Sequence, residues 1–399
     1  MEGTARKKTR KEKPGVSKND GAAQSYDRNT LDPNIYLTYD ILRIIFQYLN
    51  AKDLGRAAMV CRSWSEAANN EKWTRGPCCF LQQDYTLRDF FHNVNNIRIK
   101  PSAGFFFIPC HTPRNIEVHI EDIYINWLPE HCKAIMLYSE GIIMDNYEME
   151  SRPSMVCAFL PQIPNVKIKL FESLEVGNCA VQKAIGKEAN YREIISTIVE
   201  HETSISNHEI STCFMLFCNY NGHKTAKHWA SAVQQRKGDK IVSVWGGVVQ
   251  DIYVQRTYKE KPFHKIDVPY CVAVLITGPI QTWSTILDMK CNTKEQVEEK
   301  LKLFRDEVKL KKHSIGFMFV CRARGTTMYN ESNVESTIFK RLFPKVPLAG
   351  CFGYGEFGKN TIVDEVNEEK NDKEERKKRK KSKSWYNEFS TVFLIITYG

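Results

Sequence analysis

Two short stretches toward the C-terminal end of this 399-residue chain carry the residue types from which chemistry is built. Gly353-Tyr354-Gly355-Glu356-Phe357-Gly358 has the G-x-G-x-x-G spacing of a loop that lets backbone approach a dinucleotide phosphate. Such a loop opens a helix and is followed by an acid about 20 positions on. Here Lys359 to Asp364 reads as continuing strand, and the next acids fall in a charged run. The glycines are therefore expected to serve a turn that needs positive φ and close backbone approach. Glu356 is the ionisable group inside that turn, and its expected partner is Arg322 or Arg324. In the second stretch, Cys321-Arg322-Ala323-Arg324, nearby guanidinium groups would lower the thiol pKa and favour thiolate. The alternative is a core cysteine, the common fate of a free thiol.

Other constellations are weaker. There is no C-x-x-C, no H-E-x-x-H and no G-x-S-x-G. Cys110-His111 and His131-Cys132 are adjacent pairs whose side chains diverge on a strand or loop. The expectation is no metal and no cofactor; Ser-His-Asp or Cys-His partners distant in sequence stay open on spacing alone.

The elements that position these residues alternate between strand and helix. Strands are expected at Asn96–Lys100, Gly104–Pro109, Ala134–Tyr138, Ile142–Met144, Met155–Leu160 and Val166–Phe171. Helix is expected at Glu121–Leu128 and Tyr191–Glu200, with a loop at Glu172–Asn190 between. Cys213–Cys218, Lys240–Trp245, Tyr270–Thr277, Thr282–Leu287, Ser314–Cys321, Val346–Phe352 and Ser390–Tyr398 continue the strands. His223–Arg236, Thr293–Lys311 and Ser332–Leu342 are the helices among them, the second expected to be longest. The class is α+β, with mixed α/β sheets in sandwich domains. Loops at the carboxyl ends of strands gather sites in such sheets. The two chemical stretches are thus expected side by side on one cleft, with Asn219–Gly222 as a third wall. Arg322, Arg324 and Glu356 would supply polar specificity, Tyr354 and Phe357 apolar contact, and Cys321 a thiol.

The first ordered segment is helical. Leu37–Trp73 reads as three short amphipathic helices, with Ile41, Leu42, Ile45, Tyr48 and Leu49 at helical spacing. Thr38, Asp53 and Ser63 are candidate caps. About 37 residues are too few to bury a core alone, so the apolar faces need a partner.

The residues Leu37, Ile41, Leu42, Ile45, Phe46, Leu49, Leu54, Val60-Cys61-Arg62, Trp64 and Trp73 resemble an F-box. Thr38 departs from the pattern, which usually has proline there. The strings Ser314–Gly325, Asn333–Gly358 and the terminal FSTVFLIITYG resemble the FIST C-terminal domain. Ile163–Phe171 and Trp245-Gly246-Gly247 are similar to its N-terminal companion. The resemblance implies a three-helix F-box at 31–75 followed by FIST-like domains at 90–260 and 262–399. It implies docking on a Skp-type adaptor of a cullin–RING ubiquitin ligase through Leu37, Ile41, Leu42, Ile45, Leu49, Leu54, Val60, Cys61 and Trp64. The FIST-like domains would then present protein clients for ubiquitylation and proteasomal degradation, and the family resemblance implies a receptor with no catalytic group rather than an enzyme. A rival reading is a small-molecule sensor whose F-box controls its own turnover.

Charge narrows the partners. The formal net charge is +10. Residues 1–20 hold seven Lys/Arg against three acids, and residues 365–384 hold nine against six. The body is nearly balanced, which argues against a broad nucleic-acid face. Residues 1–30 read as a disordered basic head and 365–384 as an exposed charged loop. Arg6, Lys7, Lys8, Arg10 and Lys11, with Arg376, Lys377, Lys378, Arg379, Lys380 and Lys381, are candidate nuclear-import signals. Thirteen scattered cysteines and no apolar leader imply a reducing compartment, cytoplasm and nucleus. No membrane segment is expected, because the apolar runs are of core-strand length.

Overall fold

The computed structural model describes residues 37–83, 92–111, 128–129, 131–150, 154–173, 191–200, 211–256, 265–361 and 384–399. Most of the expected helix at 121–128 and loop at 172–190, and both basic runs, lie outside these residues. Among the described residues no helix is long and apolar enough to cross a membrane.

Three helices come first: α1 Tyr39–Phe46, α2 Ala51–Ala57 and α3 Arg62–Thr74. Leu42, Phe46, Leu54, Ala57, Ala67 and Ala68 form a small core of their own. Trp64 packs edge-on against Phe46 at 5.4 Å. The expected caps are corrected. Asn50, not Asp53, caps α2 by accepting from the Asp53 N–H at 2.8 Å. Thr38 makes no side-chain cap bond, and α3 starts at Arg62 rather than Ser63. Arg75 ties this bundle to the segment that leads into the sheets. It donates to Glu71 at 3.0 Å, to the Phe46 carbonyl at 2.7 Å and to the Arg98 carbonyl.

The strands then repeat. The first unit holds β1 Cys78–Gln83, β2 Pro101–Pro109, β3 Lys133–Ser139, β4 Ile142–Met144, β5 Tyr147–Met149 and β6 Ser154–Pro161. The second holds β7 Lys167–Ser173, β8 Ser211–Cys218, helix α4 His223–Lys237, β9 Ser243–Val248, β10 Asp251–Arg256, β11 Lys265–Asp267 and β12 Cys271–Gly278. The third holds β13 Gln281–Leu287, α5 Lys294–Glu307, β14 His313–Cys321, α6 Gly325–Tyr329, α7 Val334–Leu342, β15 Leu348–Gly353, β16 Glu356–Gly358, β17 Tyr386–Asn387 and β18 Thr391–Tyr398.

Each unit builds most of one sheet and lends a hairpin to another. The sheet orders are β1-β6-β2-β3-β10-β11, β7-β12-β8-β9-β16-β17 and β13-β18-β14-β15-β4-β5. At the centre of each runs one parallel pair, β2 with β3, β8 with β9 and β14 with β15. The other pairings are antiparallel. Residues on both sides of position 261 share every sheet, so the expected division into 90–260 and 262–399 is not a boundary between sheets. The sheets face a common core in which Phe105, Phe217, Trp245 and Phe317 meet. Phe105 lies 5.4 Å from Phe317, and Trp245 lies 5.2 Å from Phe317 and 5.5 Å from Phe217. Ring pairs at these separations add to their area burial.

Local departures have local causes. Residues 96–100 form no strand. Helix α5 stops at Glu307 because Val308 turns extended, and at 14 residues it is one shorter than α4. The strand expected to continue through Asp364 is β16 and ends at Gly358, with residues 362–364 outside those described.

Candidate functional site

The carboxyl ends of the central parallel strands converge. β2 delivers Cys110 and His111, β3 delivers Glu140, β8 delivers Asn219 and Tyr220, β14 delivers Arg322 and β15 delivers Tyr354. Backbone bonds lock the ends together: Cys110 N–H to Ser139 O at 2.7 Å and Arg322 N–H to Gly353 O at 2.8 Å. The units are joined by Gln250 N–H to Tyr138 O at 2.8 Å, Phe352 N–H to Gly141 O at 2.9 Å and Tyr354 N–H to Val248 O at 2.9 Å.

Glu140 is the centre of this convergence. Tyr354 donates its hydroxyl to Oε1. The Cys110 thiol lies 3.6 Å from Oε1. His111 Nε2 and the Arg322 guanidinium each lie 3.5 Å from Oε2. Burial alone would raise the Glu140 pKa, but the Tyr354 hydrogen bond and the Arg322 charge hold it below the usual carboxylate value. Burial, and then Glu140 itself, push the Cys110 thiol up. The Tyr220 ring lies 4.9 Å from that of Tyr354. His111, Glu140, Glu150, Arg322 and Phe352 enclose a polar cavity of about 130 Å³.

The two turns named from sequence do run side by side. Of their six candidate residues, Arg322 lines this cavity and Tyr354 bonds to Glu140 on its wall, and the other four point elsewhere. Arg324 is fully buried. It donates to Glu335 at 2.8 Å, to the Cys291 carbonyl at 2.6 Å and to the Asp288 and Phe389 carbonyls at 3.1 and 3.2 Å. Glu356 is also buried and pairs with neither arginine. Its carboxylate accepts from Ser390 N–H at 3.0 Å and Ser390 Oγ at 2.8 Å, and burial raises its pKa to about 8. Phe357 packs into the core beside Tyr386 at 5.4 Å. Cys321 is buried, and burial with Glu356 nearby pushes its thiol to about 11, opposite to the expected activation. The glycines Gly353, Gly355 and Gly358 do not have positive φ. They are required by close approach: a Cβ on Gly353 would lie 2.4 Å from Val248 O.

Glu140, Cys110, His111 and Tyr220 were not singled out as one site by sequence. The adjacent Cys110-His111 pair was visible, but the turn after β2 sends both side chains to Glu140 rather than apart. Among the described residues these three also form a group of possible metal ligands.

A second surface lies on the helical bundle. Leu37, Ile41, Ile44, Ile45, Tyr48, Met59 and Val60 are exposed, and so is Cys61. Leu49 and Trp64 are half-buried, and Leu42 and Leu54 are core residues that face no partner. Ile44, Tyr48 and Met59 extend the set named from sequence. Positions 41, 44, 45 and 48 repeat at i, i+3, i+4 and i+7, the signal of one helix face. Between the bundle and the first unit is a larger cavity of about 710 Å³. Lys52, Lys72, Arg75, Arg98 and Lys100 stand on its walls without an acid among the lining residues.

This apolar ridge lies on a small three-helix core. Residues 39–76 match the F-box-like family model. The chain resembles F-box only protein 22 of Pongo abelii, at 24% identity over 81% of this chain and 85% of that protein. The Homo sapiens F-box only protein 22 is 23% identical over the same shares. An F-box/LRR-repeat protein of Arabidopsis thaliana is 32% identical over 21% of this chain and 14% of its own. A solved cyanuric acid hydrolase from A. caulinodans aligns with 80% of this chain and 98% of its own, at 7% identity and a TM-score of 0.39.

Proposed function

We propose that this chain is the substrate-recognition subunit of an SCF-type cullin–RING ubiquitin ligase. The observation that carries the reading is the ridge of Ile41, Ile44 and Ile45 on α1 with Tyr48 in the turn after it, extended by Met59 and Val60. These side chains are 40–83% exposed, while Leu42, Phe46 and Leu54 keep the bundle folded beneath them. A contiguous exposed apolar patch of this kind marks an interaction surface. The F-box-like match and the two F-box only relatives support a Skp-type adaptor as that partner. The three-sheet body would hold the protein client, and the chain would act by proximity, raising the effective concentration of a client lysine near a charged conjugating enzyme. Of the adaptor residues taken from the resemblance, Leu37, Ile41, Ile45, Val60 and Cys61 fit as direct contacts, and Leu49 and Trp64 as partial ones.

The sensor alternative gains little from the cavity beside Glu140. At about 130 Å³ it is small against the roughly 300–1,000 Å³ of ordinary ligand pockets. The two basic runs are further proposed to direct part of the protein to the nucleus. The deciding experiment is affinity purification of the full chain with proteasome and neddylation blocked. Recovery of adaptor, cullin and a client that accumulates under the block supports the receptor reading. Recovery of none of them overturns it.

A further inference from the structure

Cys110, His111 and Glu140 bring a thiol, an imidazole and a carboxylate together at the carboxyl ends of β2 and β3. Their ligating atoms all lie within 4.8 Å of one another. We propose that these three side chains form a zinc-binding site, independent of any role of the helical bundle.

The donor set favours zinc. A soft thiolate, a borderline imidazole and a carboxylate suit this ion, whereas calcium and magnesium take oxygen. The spacing also fits. Ligand atoms around a tetrahedral zinc with bonds of about 2.0–2.3 Å stand roughly 3.3–3.8 Å apart. Glu140 Oε1 is 3.6 Å from Cys110 Sγ, and Oε2 is 3.5 Å from His111 Nε2. Closing the remaining thiol–imidazole separation needs a movement of no more than about 1 Å, again judged by tetrahedral spacing. His111 can supply it, since its side chain is 68% exposed on the turn after β2.

The surroundings are those of a held ligand. Glu140 is 11% exposed, and the Tyr354 hydroxyl fixes its orientation by donating to Oε1. Arg322 is the competing cation. Its side chain is 63% exposed and its contact with Oε2 is 3.5 Å, an ion pair of the kind that contributes little. It can swing to solvent as the metal enters. Glu150 stands on the same cavity wall but outside the close group, so the fourth position falls to water or to a donor from a docked protein. On binding, the metal replaces the Cys110 thiol proton, which leaves to the buffer.

The test uses the full chain, purified metal-free, with cobalt(II) as spectroscopic probe and zinc in competition with a chelating dye. The expected result is one equivalent of tetrahedral cobalt with a thiolate charge-transfer band. Tyr354→Phe should weaken zinc by about tenfold, as loss of a partner that orients a ligand does, and His111→Ala and Cys110→Ser should each weaken it by more. The unfolding temperature of metal-free His111→Ala should stay unchanged, which separates lost binding from lost fold. The proposal is overturned if wild type and His111→Ala hold zinc equally. It is also overturned if binding disappears only in Cys61→Ser, since Cys61 is an exposed thiol on the helical bundle and such binding would be adventitious.

Discussion

The Tyr354 hydroxyl donates to the Glu140 carboxylate across 214 positions of sequence. This one bond joins the turn after β15 in the third unit to the turn after β3 in the first. Hydrogen bonds to a charged acceptor contribute about 1.5–3 kcal/mol in favourable settings, and partial exposure reduces that. Tyr354→Phe should therefore lower unfolding free energy by roughly 1 kcal/mol, read as a shift in urea midpoint at unchanged slope. No shift would mean that the two turns are held by their backbone bonds alone.

The adaptor face separates two kinds of apolar residue. Ile41→Ala, Ile44→Ala and Ile45→Ala together should abolish adaptor capture while the unfolding temperature moves little, since all three are exposed. Leu42→Ala should instead destabilise the bundle by about 2–5 kcal/mol, because that side chain is core. Pull-down and thermal melting of both variants check this. Full adaptor capture by the triple variant would remove the ridge from the interface.

Arg324 is a buried tie rather than a recognition residue. Arg324→Ala leaves the fully buried Glu335 carboxylate without its cation. Breaking a buried pair on one side costs about 3–5 kcal/mol. The variant should accumulate poorly and unfold early, with client and adaptor binding lost together. A stable Arg324→Ala protein would contradict this account.

Glu356 sets a pH dependence. Burial raises its folded-state pKa to about 8, above the ordinary carboxylate value it has when unfolded. Between those values the folded state holds a proton that the unfolded state has released. Its contribution is therefore fully present in mild acid and is lost as pH rises through about 8. Stability should fall by roughly 2–4 kcal/mol between about pH 5 and 8.5 from this group. Glu148, raised to about 7 by burial and by Glu335, acts in the same direction. Glu356→Gln should flatten the profile of melting temperature against pH. An equally steep profile in that variant would assign the dependence elsewhere.

Changing Arg6, Lys7, Lys8, Arg10 and Lys11 with Arg376 to Lys381 to alanine should shift a fluorescent fusion toward the cytoplasm. An unchanged distribution would leave both runs as solvated charge.

The helical bundle was legible because its signal is local. Helical spacing within a few turns announced the three helices, but it did not tell core from exposed face, so Leu42 and Leu54 read as adaptor contacts although both are buried. The strands β8, β12, β14 and β18 were legible as short apolar runs for the same reason. Burial of a charged residue is decided by distant segments, which is why Arg324 and Glu356 read as cleft residues in the sequence. Their partners Glu335 and Ser390 stand 11 and 34 positions away. The repeat of three units is hidden in the sequence because its members share backbone pairing and not side chains. Glu140, Val249 and Tyr354 follow the equivalent strands β3, β9 and β15, and no two are alike. The same divergence hid the meeting of Cys110, His111 and Glu140.

The strand Thr391–Tyr398 lies inside its sheet, between β13 and β14, and not at an edge. Both neighbours are therefore made before the strand that joins them. During synthesis β13 and β14 each wait with an unpaired flank until the strand from Thr391 leaves the ribosome, roughly 70 positions after Cys321. A nascent chain of this protein is thus exposed to strand-edge association for that interval. Any ribosome that stops short of residue 391 releases a chain whose third sheet cannot close.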